Sequence, residues 1–244
     1  EGDYIVTLKD NANLGNEMKN ARGKQIVAKY KYSNALNGFA AHLSSDDVCD
    51  LRNRPNVLDV ETDGIVTADL MSTQSGGSDI WGLDRIDTSK ATTTKILDGT
   101  YNYTSDGSGV TAYVIDTGIY ANHPDLQGRV RFGFDAFGLT TSFDGYGHGT
   151  HVAGTIGGTT YGVAKKVNLV SVRVLDSSGS GTNSGVIAGI DWVVADHTTG
   201  KAVANMSLGG GASTALDSAV KRLVADGVTT VVAAGNSGRD AKNY

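Results

Sequence analysis

The chain has 244 residues, 39% of them hydrophobic, with 33 glycines and a net charge of −5. That is enough apolar material for a sizeable core and excludes a disordered polymer, while the lack of a long basic block argues against nucleic acid as a partner. No apolar run approaches the ~20 residues that cross a bilayer, which argues against a membrane span, and the single cysteine, Cys49, cannot form an internal disulfide.

The opening EGDYIVTLKD has no apolar signal core, and Glu1 as first residue leaves room for a signal already removed. Residues 1–70 read as a compact α+β unit. Tyr4 to Leu8 is expected as a strand, Leu14 to Ala21 as a helix, and Ile26 to Tyr32 as a half-buried strand by its alternation. Phe39 to Leu43 follows as a strand, then a helix through Val48 and Leu51 capped by Ser44 or Ser45, then strand segments at Val57 to Val60 and Ile65 to Val66. The order is β-α-β-β-α-β, that of a ferredoxin-like fold. Residues 71–80 form a linker. The stretch Asp69 to Asp79 contains Gly76 and Gly77 and few anchoring groups, so it is open to a protease.

Residues 81–244 form the second domain, where strand and helix alternate after Gly109. Val110 to Ile115 is expected as a strand, and a helix runs from His148 to about Ile156 after a loop-rich interval. Val167 to Val174 is a strand, and Val186 to Val194 lies in a helix capped by Asn183 or Ser184. Ala202 to Leu208, a helix over Thr214 to Ala225, and a strand over Thr229 to Ala234 complete the series. Near-continuous apolar strands between helices indicate an α/β fold with a largely parallel sheet covered on both faces. Ligands of such folds bind beyond the C-terminal strand ends, where Asp116, Ser207 and Asn236 fall.

Asp116 closes the strand in AYVIDTGI. Alone, such an aspartate caps a turn or orients a histidine by accepting its Nδ1 proton. The DTG triplet has no second copy, which argues against an aspartic protease. His148 begins HGTHVAGTIGG, and His151 three residues on raises a zinc pair, but the H-E-x-x-H spacing is absent. The glycine-rich segments around Gly179, Ser180 and Gly181 and in SLGGG from Ser207 are connecting loops or edges that admit a peptide main chain. Asn102 in NYT and Asn205 in NMS match glycosylation acceptors.

VIDTGI at Asp116, GHGTHVAG at His148 and AAGN at Asn236 together resemble the aspartate, histidine and oxyanion blocks of the subtilisin-like serine proteases, the subtilases. HPDL from His123, YGVAKK from Tyr161 and SLGGG bring the likeness to the proteinase K branch, and residues 4 to about 68 resemble that family's inhibitor-like propeptide. The resemblance implies a secreted, or alternatively vacuolar, serine endopeptidase precursor acting on polypeptides by the family's Asp-His-Ser mechanism. In it, Asp116 orients His148, His148 acts as base toward a serine, and Asn236 donates to the oxyanion. Gly179, Ser180, Gly181, Ser207, Leu208 and Gly209 would flank an extended substrate, and the propeptide would occupy that cleft within the same molecule. Cleavage is expected near Asp69 to Ser72.

The family's serine lies in a GTSMA-like segment, which does not occur in these residues; neither Ser207 nor Ser237 corresponds to it. The chain is therefore expected to be an N-terminal portion of the precursor and inactive alone. A monomer is expected, without a cofactor or metal in this chain, calcium being a ligand that the resemblance allows in a complete family member. The alternative is a non-catalytic peptide-binding or protease-inhibitor protein; a cofactor-binding α/β domain is disfavoured by the lack of GxGxxG.

Overall fold

The computed structural model describes residues 1–68, 80–87 and 99–240. Its first domain runs β1 (Gly2–Leu8), α1 (Leu14–Glu17), β2 (Tyr30–Tyr32), β3 (Gly38–Leu43), α2 (Ser45–Arg52), β4 (Val57–Thr62) and β5 (Ile65–Ala68). The first four strands make an antiparallel sheet of order β2-β3-β1-β4, the arrangement that the β-α-β-β-α-β reading called for. Side-chain alternation along β1 serves two cores. Val6 and Leu8 pack with Phe39, Leu43, Val48 and Leu51 beneath the domain's own helix α2, whereas Ile5 joins Tyr32 and Ala40 on the opposite face.

Two local expectations need correction. The first helix stops at Glu17 instead of reaching Ala21, because the Asn20 side chain accepts from the backbone N–H groups of Arg22 and Lys24 and turns the chain back on itself. Of the strand expected over Ile26 to Tyr32, only Tyr30–Tyr32 finds a ladder partner, on β3. The α2 cap is Ser44, whose hydroxyl accepts from Asp47 N at 3.2 Å.

The second domain comprises α3 (Trp81–Asp87), β6 (Val110–Asp116), β7 (Val130–Asp135), α4 (His148–Gly157), β8 (Asn168–Arg173), β9 (Ser180–Thr182), α5 (Asn183–Asp196), β10 (Lys201–Met206), β11 (Leu208–Gly210), α6 (Thr214–Ala225) and β12 (Thr229–Val232). Five strands form a parallel sheet of order β12-β10-β6-β8-β7. Along β6, Tyr113 and Ile115 face a core shared with α5 and α6, while Ala112 and Val114 face Ala153 of α4 on the other side. Helices therefore cover both faces, as two-sided burial of the strands implied.

Strand β7 lies within the interval read as loop, and α3 had no counterpart among the expected elements; a short strand on a sheet edge with Gly133 inside it carries little pattern of its own. The α5 cap is Thr182, whose hydroxyl accepts from Gly185 N at 3.2 Å, not Asn183 or Ser184. The strand expected over Ala202 to Leu208 is broken after Met206, and Leu208 begins a separate strand. Asn205 lies in β10 between two neighbouring strands, whereas Asn102 is exposed.

Strand β5 leaves its own domain. It inserts antiparallel between β9 and β11, with Val66 opposite Gly181 and Gly210, and Thr67 opposite Ser180 and Gly209. Carboxylates reinforce the junction from both sides. Glu61 accepts from the Ser213 hydroxyl and from Thr214 N at 3.1 Å, at the start of α6. Asp63 accepts from the Ser184 hydroxyl and from Ser184 N at 2.8 Å, at the start of α5. Negative charge at a helix N-terminus meets unpaired N–H groups and the positive end of the dipole. In the reverse sense, Asp191 of α5 accepts from the backbone N–H groups of Ser33, Asn34 and Ala35.

Candidate active site

The central strand β6 delivers Asp116 to the C-terminal edge of the parallel sheet. Its backbone carbonyl accepts from Val174 N and Leu175 N as β8 ends, and its side chain is fully buried. A carboxylate so placed requires partners. It accepts from Thr117 N at 2.7 Å and meets His148 Nδ1 at 2.7 Å through Oδ1 and 2.9 Å through Oδ2. The contact therefore pairs the carboxylate with Nδ1 of the ring and fixes which ring nitrogen faces Asp116.

His148 is the first residue of α4 and is 4% exposed. The helix can lie against the loop after Asp116 only because residue 149 is glycine: a Cβ there would come within 2.1 Å of the Gly118 carbonyl oxygen. The N-cap position is Gly147, which has no side chain to offer. Asp144 takes over that task, accepting from Gly147 N at 2.7 Å, Tyr146 N at 3.1 Å and Thr150 N at 2.9 Å. Composition around His148 marked the small neighbours but not Asp144; an acidic residue three positions before an uncapped glycine was the available signal.

Gly179, Ser180 and Gly181 line one side of β5, and Leu208 and Gly209 line the other, with Ala68 N donating to the Gly179 carbonyl at 2.8 Å. Ser207 stands between β10 and β11 and receives the Asn205 side-chain amide at 3.0 Å. The turn before β9 is locked by Asp176, which accepts from the Ser178 hydroxyl and from Ser180 N; the Ser178 hydroxyl, then the backbone bonds, hold its carboxyl below the usual range. Beside β9, Tyr30, Ile65, Phe137, Val174 and Gly185 line a cavity of about 270 Å³. Asn236 lies exposed in the turn beyond β12, on the same edge of the sheet as Asp116, since Ala233 N donates to Met206 O where β10 ends. Thus Asp116 meets His148, the two glycine-rich segments meet one strand, and Asn236 stands apart in its own turn.

His151 lies exposed on α4, and among the described residues no group of three or more His, Cys, Asp or Glu could hold a metal ion. The expected cleavage region near Asp69 to Ser72, like most of the linker, lies outside the described residues.

A carboxylate–imidazole pair at the strand ends of a doubly covered parallel sheet defines the class: an α/β domain with its candidate site at the C-terminal edge of the strands. The subtilase family model matches residues 107–244, and the peptidase inhibitor I9 model matches residues 3–69. The chain belongs to the subtilase family and carries an I9 inhibitor-type propeptide domain in front. It is 54% identical over 214 residues to an extracellular serine proteinase of Thermus sp. (strain Rt41A), covering 87% of this chain and 50% of that one. Identity to alkaline serine exoprotease A of Vibrio alginolyticus is 52% over 222 residues, 90% of this chain and 41% of the relative. The crystal structure of a cold adapted subtilisin-like serine proteinase superposes with a TM-score of 0.63 at 58% identity, covering 68% of this chain and 60% of that one. The chain thus spans about half the length of these curated relatives.

Proposed function

We propose that this chain supplies the propeptide and the Asp–His half of the catalytic apparatus of a secreted serine endopeptidase. The observation that carries the reading is the 2.7 Å contact between His148 Nδ1 and buried Asp116. In the proposed reaction His148 Nε2 removes the proton from a serine hydroxyl as the oxygen attacks the peptide carbonyl, and Asp116 stabilises the imidazolium that forms. The same proton then passes to the leaving amine. Asn236 donates to the tetrahedral oxyanion; in subtilisin itself the loss of that donor costs about 2.7–4 kcal/mol. No serine of these 244 residues is assigned as the nucleophile.

Substrate would lie where β5 lies, held by main-chain bonds to Gly179–Gly181 and Ser207–Gly209. Such bonds accept any peptide backbone and leave preference to the walls. The domain boundaries proposed are 1–70, 71–80 and 81–244, supported by the two family matches. Secretion is supported by the Thermus relative, which is named extracellular.

The test is peptide hydrolysis. Residues 1–244 alone should show negligible turnover, and hydrolysis abolished by a serine-directed inhibitor would overturn the assignment that the nucleophile is not among them. In a chain joined to a serine-bearing subtilase segment, Asp116→Asn should lower kcat by about 10⁴-fold, the loss found when the equivalent carboxylate of a serine protease is neutralised. A smaller change than tenfold would remove Asp116 from the mechanism.

A further inference from the structure

We infer that Asp144 is a positioning residue, the clamp that holds the His148 ring against Asp116, with Thr117 as its bridge. The inference rests on the proposed role of that pair and adds residues which neither the motif blocks nor the family matches assign.

Asp144 is half-buried in the loop before α4, and its carboxylate gathers donors from both sides of the pair. Oδ1 accepts from the Thr117 hydroxyl at 2.9 Å, from Tyr146 N at 3.1 Å and from Gly147 N at 2.7 Å. Oδ2 accepts from Thr150 N at 2.9 Å and from the Thr150 hydroxyl at 2.5 Å. Both threonines pass the connection onward. Thr117 Oγ1 accepts from Gly149 N at 2.9 Å, and Thr150 Oγ1 accepts from Tyr120 N at 2.9 Å. Three pieces of chain are thereby joined: residues 117–120 leaving the strand that ends in Asp116, residues 144–147, and the first turn of the helix that begins with His148.

Thr117 is fully buried and adjacent to Asp116, and its backbone N–H is bonded to the Asp116 carboxylate. Moving Asp144 therefore moves the segment bearing Asp116 and the helix bearing His148 relative to each other. A carboxylate suits this position because it only accepts, and every group facing it is a donor. In Asp144→Asn one oxygen becomes an NH₂ group and opposes either the Thr117, Tyr146 and Gly147 donors or the two of Thr150. The shape is kept while part of the clamp is lost.

The readout is the proton between His148 Nδ1 and Asp116, observed on the 244-residue chain with ¹⁵N-labelled histidine as a resonance downfield of the amide region. Asp116→Asn identifies it by removing it. Asp144→Asn and Thr117→Val should each abolish or broaden it, and Thr117→Ser, which keeps the hydroxyl, should restore it. A lower melting temperature with the resonance intact in both Asp144→Asn and Thr117→Val would make the role merely structural and overturn the inference. Should Asp144→Asn not fold, the Thr117→Val and Thr117→Ser pair decides alone. If the unmodified chain shows no such resonance, or if it survives Asp116→Asn, the pair itself fails and the clamp fails with it.

Discussion

The two large sheets of this chain solve the same burial problem differently. The parallel sheet carries helices of its own domain on both faces, α4 on one and α5 with α6 on the other. The antiparallel sheet has its own helices on one face only; Ile5, Tyr32 and Ala40 on the other pack into the core that contains Val186, Ile187 and Ile190 of the second domain. A sheet closed on one side and borrowed on the other cannot hide both its faces without its neighbour. The propeptide domain is thus shaped as half of an interface, with the contact written into the alternation of β1 and β3.

The strongest challenge to this contrast is a cavity in the face that the first domain keeps to itself. Phe39→Ala removes a fully buried ring from that core and should cost about 3–5 kcal/mol. Hydrogen exchange should show faster opening of residues 2–62 with a smaller change in β6 and β8; equal loss in both sheets would mean that they form one cooperative unit. Gly181→Ala tests the groove. Its Cβ would lie 2.3 Å from the Val174 carbonyl oxygen, so β9 must shift, and a loss of about 1–3 kcal/mol with faster exchange in β5 is expected. Unchanged protection of Val66 and Thr67 would show that β5 does not depend on that edge.

The carboxylates at the junction should matter less. Glu61→Gln keeps the size of the side chain but removes the charge at the start of α6, an effect of about 0.5–2 kcal/mol read as faster exchange at Thr214 and Ala215. No change there would reduce the contact to packing. The smallest effect is expected within the second domain alone, where His197 Nδ1 meets Asp226 Oδ2 at 2.8 Å and joins the C-terminal ends of α5 and α6. The Asp226 bond, more than any other contact, raises the His197 pKa against the opposing effect of burial. Stability from this pair is therefore full below about 6.5, the value of a free histidine, and is lost as pH rises through the higher folded value. Urea midpoints of the parent and His197→Gln should converge as the pH is raised; a difference that grows instead would reverse the sign.

Much of this architecture was legible in the residues because it is local. Ser44 as a cap, the helix over Thr214–Ala225 and the strand ending at Asp116 each follow from a few neighbours in sequence. Asp116 and His148 stood out because each lies in a dense motif, and the parallel sheet needed only to bring two strand-end segments together. What escaped depends on contacts between distant segments. Asp144 acquires its role from Thr117, 27 residues earlier, and Asp63 from Ser184, 121 residues later. Local chemistry also misled where a backbone bond was contested: Asn20 ended α1 early, and Thr182 took the cap position from Asn183 and Ser184.

The strand β5 between β9 and β11 has a further consequence as a competitor. It belongs to the same molecule as the groove it fills, so a peptide of the kind proposed as substrate would meet a rival already paired along both edges and present in every molecule. Such a peptide would have to bind better than the main-chain pairs of Val66 and Thr67 to displace them. Once the two domains are separate chains, a rival present in every molecule becomes one that dilution can remove.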